Sequence, residues 1–186
     1  ERDALTGLYL RPMLARRWEH LLEGSGRGRG AAVVSIAMLD LDHFKRVNDR
    51  HGHDAGDAVL RGFAQAVQAT LRGSDAVGRY GGEEFVALFP GAAEEAVRSI
   101  LGRVHDRVKG ADFLPPGACS RGAGAEPLRF CAGIVTVALR PEAARPSFDA
   151  AITAADDLLL YCKRSGRDCC AWSGRIPTAR PRHDRR

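Results

Sequence analysis

Ala76-Val77-Gly78-Arg79-Tyr80-Gly81-Gly82-Glu83-Glu84-Phe85-Val86-Ala87-Leu88-Phe89 is the stretch on which the fold turns. Two largely apolar runs, residues 76–80 and 84–89, flank Gly81-Gly82, which suits a hairpin turn needing positive φ. An antiparallel strand pair is therefore expected here. Upstream, residues 31–39 (Ala-Ala-Val-Val-Ser-Ile-Ala-Met-Leu) are almost continuously apolar, the pattern of a strand covered on both faces, and end abruptly at Asp40-Leu41-Asp42. Downstream, residues 130–139 give a further strand. Helical stripes lie between them: Met13, Leu14, Trp18, Leu21 and Leu22 behind Pro12; Val59, Leu60, Phe63, Val67 and Leu71 in a helix expected from Asp57. Val97, Ile100, Leu101, Val104 and Val108 form a third stripe closed by Gly110, and Phe148, Ile152, Ala155, Leu158, Leu159 and Cys162 a fourth closing at Ser165-Gly166. Residues 24–30 and 115–127, rich in Gly, Arg, Pro and Ala, read as loops. Helices interleaved with strands, one pair of them antiparallel, predict an α/β (α+β) fold with a mixed sheet and helices packed on it.

The 186 residues carry 28 Lys and Arg against 23 Asp and Glu and are 45% hydrophobic, which suits one domain with a sizeable core. No window approaches the run of about 18 apolar residues that would span a bilayer, and residues 1–6 hold no signal peptide, so no membrane contact is expected of this domain. The absence of an initial Met reads as a piece of a longer chain. Five cysteines without a CxxC pair support neither a disulfide framework nor a zinc knuckle, and the expected location is a reducing cytoplasm. The net charge of +5 would point to a polyanion, but five Arg and one Asp fall in residues 175–186, leaving 23 bases against 22 acids in residues 1–174. The expectation is a nearly neutral domain over residues 1–174, a basic disordered tail over 175–186, and no nucleic-acid partner.

Three clusters carry chemistry. Asp40-Leu41-Asp42 with Lys45, Asn48 and Asp49 follows the buried strand, where ligand sites on sheets tend to form, and carboxylates there suit a hard cation. Asp42 reads as a plain helix N-cap in preference to a ligand, whereas Asp40 divides evenly between the two readings. Glu83-Glu84 stands at the Gly-Gly turn; in a continuous strand the two would face opposite sides unless the turn twisted them together. Lys163 and Arg167 follow the last helix. Only three basic residues are Lys, namely Lys45, Lys109 and Lys163, and two of them lie in these clusters. Carboxylates for a cation together with Lys and Arg for phosphate oxygens would make a triphosphate site.

These motifs resemble the GGDEF-domain diguanylate cyclases, here in a Gly-Gly-Glu-Glu-Phe variant. The resemblance rests on Asp3-Ala4-Leu5-Thr6-Gly7-Leu8, Asp40-Leu41-Asp42-His43-Phe44-Lys45, Asn48-Asp49, Gly52-His53-Asp54-Ala55-Gly56-Asp57, Arg79-Tyr80-Gly81-Gly82-Glu83-Glu84-Phe85, Ala155-Asp156 and Tyr161-Cys162-Lys163-Arg164-Ser165-Gly166-Arg167, in order over residues 3 to 170. It implies a central mixed, mainly antiparallel sheet of about five strands, similar to the palm of nucleotidyl cyclases, and condensation of two GTP into cyclic di-GMP with release of pyrophosphate. Asp40, Glu83 and the Leu41 carbonyl would hold Mg²⁺ or Mn²⁺, and Glu84 would be a further ligand or the group that activates the ribose 3′-hydroxyl. Asn48 and Asp57 would read guanine, Phe44 and His53 would line the nucleotide, and Gly81 and Gly82 would let the backbone approach it. Lys45, Lys163 and Arg167 would hold the β and γ phosphates. Since one such domain binds one GTP, a homodimer is implied, with an N-terminal sensory or dimerising module and weak activity for this chain alone. Arg72-Gly73-Ser74-Asp75 resembles the family's RxxD product-inhibition site, with Arg103 or Arg98 as a second contact. The competing reading is a cyclic di-GMP or GTP receptor of weak or no turnover. Departures from the family pattern fall at Tyr9-Leu10-Arg11-Pro12, at Cys131-Ala132-Gly133-Ile134 and at Asp168-Cys169, and none removes a residue assigned above.

Overall fold

The computed structural model describes residues 1–24, 33–114, 127–139 and 145–172. Most of both expected loops, the first two residues of the strand expected from Ala31, and the tail at 175–186 lie outside the described residues. The middle strand, β2, runs Val33–Leu41 and is flanked antiparallel by β4 (Glu84–Pro90) and β5 (Phe130–Ala138). β3 (Ala76–Arg79) pairs antiparallel with β4, and two short parallel strands close the edges: β1 (Tyr9–Leu10) on β3 and β6 (Cys170–Trp172) on β5. The sheet is thus six-stranded and mixed, in the order β1-β3-β4-β2-β5-β6. Four of these strands were legible in the sequence pattern; the two edge strands are too short to carry a period-two signal.

Period-two alternation explains why β2 reads as nearly continuous apolar sequence. Ala37, Leu39 and Leu41 enter one core layer, and Val34, Ile36 and Met38 enter the other. The first layer is covered by α2 (Phe44–His51), α3 (His53–Gln68) and α4 (Glu94–Gly110), through Val59, Phe63, Ile100 and Val104. The second is covered by α1 (Arg11–Gly24) and α5 (Phe148–Arg164), through Leu14, Trp18, Ile152 and Leu159. α5 starts on Ser147, whose side chain accepts from the Ala150 N–H, and stops at Gly166 with φ 108°.

The helix expected from Asp57 begins a turn earlier, at His53, and a separate short helix, α2, precedes it. Gly52, at φ 83°, makes the corner between them, and its N–H closes on the Asn48 carbonyl at 2.8 Å. Asn48 and Asp57 thereby stand on two adjoining helices rather than in one loop. β2 continues past Asp40 through Leu41, because Leu41 still pairs with Phe130 across the ladder.

Candidate active site

Asp40 follows Ile36 and Met38 in the alternation, so its carboxylate lies on the α5 face of the sheet. It stands directly opposite Glu84 in the antiparallel register, and Glu84 precedes Val86 and Leu88 on that same face. Directly paired residues of neighbouring strands bring their Cβ atoms within about 4.5–5.5 Å, and like charges there repel. The compensating cation comes from the last turn of α5: Lys163 Nζ lies 2.8 Å from Asp40 Oδ2, with Asp40 only 4% exposed. Burial, reinforced by the neighbouring acids, pushes the Asp40 carboxyl above its ordinary range, even against the bond to Lys163. Burial and then the Asp40 charge do the same to both Glu83 and Glu84. Burial acts to lower the Lys163 ammonium, but the Asp40 bond and the surrounding carboxylates raise it.

Glu83 precedes the first residue of β4, so the turn, not the strand pleat, orients it, and both glutamates feel Asp40 and Lys163. The turn itself differs from the expected positive-φ hairpin: neither Gly81 nor Gly82 is left-handed. Instead the Tyr80 and Gly81 N–H groups both donate to the Glu84 carbonyl, at 2.9 and 3.3 Å. At 81 the constraint is space beside a carboxylate, since a Cβ there would lie 2.7 Å from Glu84 Oε2 and push that side chain aside. Arg79 holds the turn from outside, donating from Nη2 to the Gly82 carbonyl at 2.7 Å and from Nη1 to Asp3 Oδ2 at 3.3 Å. Asp3 also accepts from the N–H and hydroxyl of Thr6, so the first motif of the sequence braces the Gly-Gly-Glu-Glu turn.

On the other side, Asn48 lies over Gly56, where any Cβ would strike its Oδ1, and Asp57 follows on α3, half-buried. Lys45 and His53 are exposed. Phe44, assigned to the nucleotide, places its side chain in the core at 6% exposure and leaves only main chain to the site. Arg72 and Asp75 close a small turn after α3, with Asp75 Oδ2 accepting from the Arg72 N–H at 2.9 Å; Arg103 projects from α4 beside Ser99.

Asp42 is not a helix cap. The residue before α2 is His43, left-handed at φ 59° and without a side-chain cap bond, whereas Asp42 is buried and faces the loop after α5. There it accepts from Cys131 Sγ at 3.1 Å and from the Asp168 N–H at 3.0 Å, with Arg167 Nε 4.0 Å away. Three contributors went unassigned in the sequence. Asp42 is one; Asp156, two turns before Lys163 on α5, adds its charge at Asp40 and Glu84; Asp3 reaches Arg79 across the molecule. Only the spacing of Asp156 from Lys163 on one helix face was visible beforehand.

The donors offered to a metal are all oxygens, carboxylates whose mutual repulsion calls for a cation, which fits Mg²⁺ or Mn²⁺. Among the described residues no three acidic, His or Cys side chains already form a closed metal cluster.

The family model described as diguanylate cyclase, GGDEF domain, matches residues 1–169. The chain belongs to the GGDEF diguanylate cyclase family. Diguanylate cyclase DgcP of Pseudomonas aeruginosa is 39% identical over 167 residues, which are 89% of this chain and 23% of DgcP. Among solved structures, this GGDEF domain is similar to the Pseudomonas aeruginosa diguanylate cyclase SiaD in complex with its activator SiaC, at 37% identity and TM-score 0.77, over 92% of this chain and 61% of that one. It is also similar to the GGDEF domain of Caulobacter crescentus DgcB in complex with c-di-GMP, at 27% identity and TM-score 0.78, over 92% of this chain and 94% of that one. The chain thus spans about a quarter of the curated relative DgcP. Among the described residues no helix is long and apolar enough to cross a membrane.

Proposed function

We propose that this GGDEF domain condenses two GTP into cyclic di-GMP, releasing two pyrophosphates, when two copies face each other. The observation that carries the proposal is the pairing of Asp40 with Glu84 at adjacent strand ends, under the Lys163 ammonium. Asp40, Glu83 and the Leu41 carbonyl would hold Mg²⁺ or Mn²⁺, which when bound supplies charge neutralisation on the α-phosphate. Lys163, Arg167 and Lys45 bind the β and γ phosphates and orient the pyrophosphate leaving group in line with the attacking oxygen. Glu84, its proton affinity raised by burial and by Asp40, takes the proton from the 3′-hydroxyl presented by the GTP of the facing domain. Asp57 and Asn48 accept and donate along the guanine edge; a carboxylate suits its N1–H and N2–H₂ donors, which adenine does not offer. Gly81 and Gly82 leave the turn low enough for the nucleotide, and His53 bounds it.

Product control at a second place belongs to the same proposal: Arg72 and Asp75, with Arg103 from a neighbouring domain, bind cyclic di-GMP and hold the two active sites apart. The partner module that pairs the domains would come from elsewhere in the full-length protein. Mass spectrometry of the product, using the domain fused to a dimerising helix with GTP and Mg²⁺, tests the chemistry. Cyclic di-GMP from wild type and none from Glu84→Gln is expected. Equal yields from both, or a product from ATP alone, would refute it.

A further inference from the structure

The loop after α5 carries three consecutive residues at positive φ: Gly166 at 108°, Arg167 at 62° and Asp168 at 51°. Glycine takes this conformation freely and aspartate tolerates it, but arginine does not, so the surroundings must hold Arg167 there. The holding contacts are visible. The Arg167 N–H caps the Cys162 carbonyl at the helix end at 3.1 Å. The Asp168 N–H is tied to Asp42 Oδ2, and the Asp168 carboxylate meets His105 Nε2 on α4, with Arg129 Nε 3.9 Å from its other oxygen. Among the described residues His105 is the one buried histidine, 6% exposed, in a helix whose other buried residues are apolar, and an imidazole buried there calls for a polar partner, which Asp168 supplies.

We infer that His105 and Asp168 are positioning residues for the phosphate-binding Arg167, and that Asp42 completes the same tether from the metal side. The inference rests on the proposed role of Arg167 in holding the triphosphate. His105 anchors Asp168 to α4, Asp42 anchors it to the end of β2, and between them they fix the left-handed turn that aims the guanidinium. Asp42 lies two residues past Asp40, so one strand end sets both the carboxylate that faces the metal and the anchor that places the phosphate cation.

The test is a double-mutant cycle on GTP affinity in dilute protein with Mg²⁺, where the facing copy that turnover requires is absent, using wild type, His105→Phe, Arg167→Ala and the double variant. Loss of the anchor weakens GTP binding by about fivefold to tenfold, as expected when a charge-assisted phosphate contact is displaced without being deleted. In the Arg167→Ala background the same His105→Phe change should alter affinity less than twofold. GMP, lacking the β and γ phosphates, should bind all four proteins alike, and His105→Gln, which keeps a donor near the Nε2 position, should restore most of the GTP affinity. Should His105→Phe fail to fold, Asp168→Gly breaks the link from the loop end at a backbone angle glycine adopts freely. Equal losses with and without Arg167, or parallel losses for GTP and GMP, would overturn the tether. Unchanged GTP affinity in Arg167→Ala alone would instead remove the phosphate role assigned to Arg167, and the tether with it.

Discussion

Replacing Gly133 by Ala probes how α5 is seated and what depends on that seat. Gly133 sits in β5 on the α5 face, and an added Cβ would run into the Ala155 carbonyl oxygen and lie 2.6 Å from the Leu159 nitrogen. These are backbone atoms of a helix, so no rotamer change relieves the contact. Restoring ordinary van der Waals separation requires α5 to lift by roughly 1 Å, and overpacking that only a backbone shift can relieve lies at the upper end of the usual range, about 3 kcal/mol. For a domain of this size that is a fall in Tm of roughly 6–12 °C. Lys163 is one turn beyond Leu159, and its 2.8 Å bond to Asp40 would open past hydrogen-bonding reach. With the phosphate cation displaced by about 1 Å, turnover should fall by about 100-fold. Thermal melting and cyclic di-GMP formation well below the melting point measure the two effects separately. Unchanged melting would refute the seating of α5 on Gly133. A lower Tm with wild-type turnover would refute the transmission from that seat to Lys163.

Three further outcomes follow from the geometry. Gly56→Ala should leave stability within about 1 kcal/mol of wild type, the helix-propensity gain offset by crowding of Asn48 and of the core ring of Phe44, yet raise the KM for GTP, because the new methyl displaces Asn48; steady-state kinetics beside a denaturant titration distinguishes the two. Mg²⁺ at 100 times its Kd should stabilise the wild type by about 2.7 kcal/mol and Asp40→Asn far less, read as the metal-dependent shift in Tm. Asp3 has its carboxyl held below the ordinary 3.8: burial acts to raise it, but the Thr6 bonds and Arg79 outweigh that. Its contribution is therefore present above pH 3.8 and lost as the pH falls through the lowered value, so Asp3→Asn should cost about 1 kcal/mol at pH 7 and progressively less in acid, by urea titration at each pH.

The sequence carried the strands with long apolar runs and the helices with clear stripes, because burial on one or both faces writes itself into residue spacing. It did not carry β1 and β6, whose two and three residues exist only because the sheet edge offers hydrogen-bonding partners. Gly81-Gly82 shows the same limit: the pair was legible, but its reason was not, since crowding by the Glu84 carboxylate replaced the expected positive φ. Asp42 looked like a cap because capping is local, and its true partners, Cys131 and Asp168, lie 89 and 126 residues away.

What residue order alone determined was the kind of chemistry: acids after a buried strand, acids at a Gly-Gly turn, and scarce lysines beside a cationic helix end. What only the tertiary structure decided was their convergence. The antiparallel register sets Asp40 opposite Glu84, the seat of α5 on Gly133 brings Lys163 to both, and the loop after α5 is tied through Asp168 to Asp42 and His105. A register and a tether are sums over distant contacts, and no single stretch of sequence contains them.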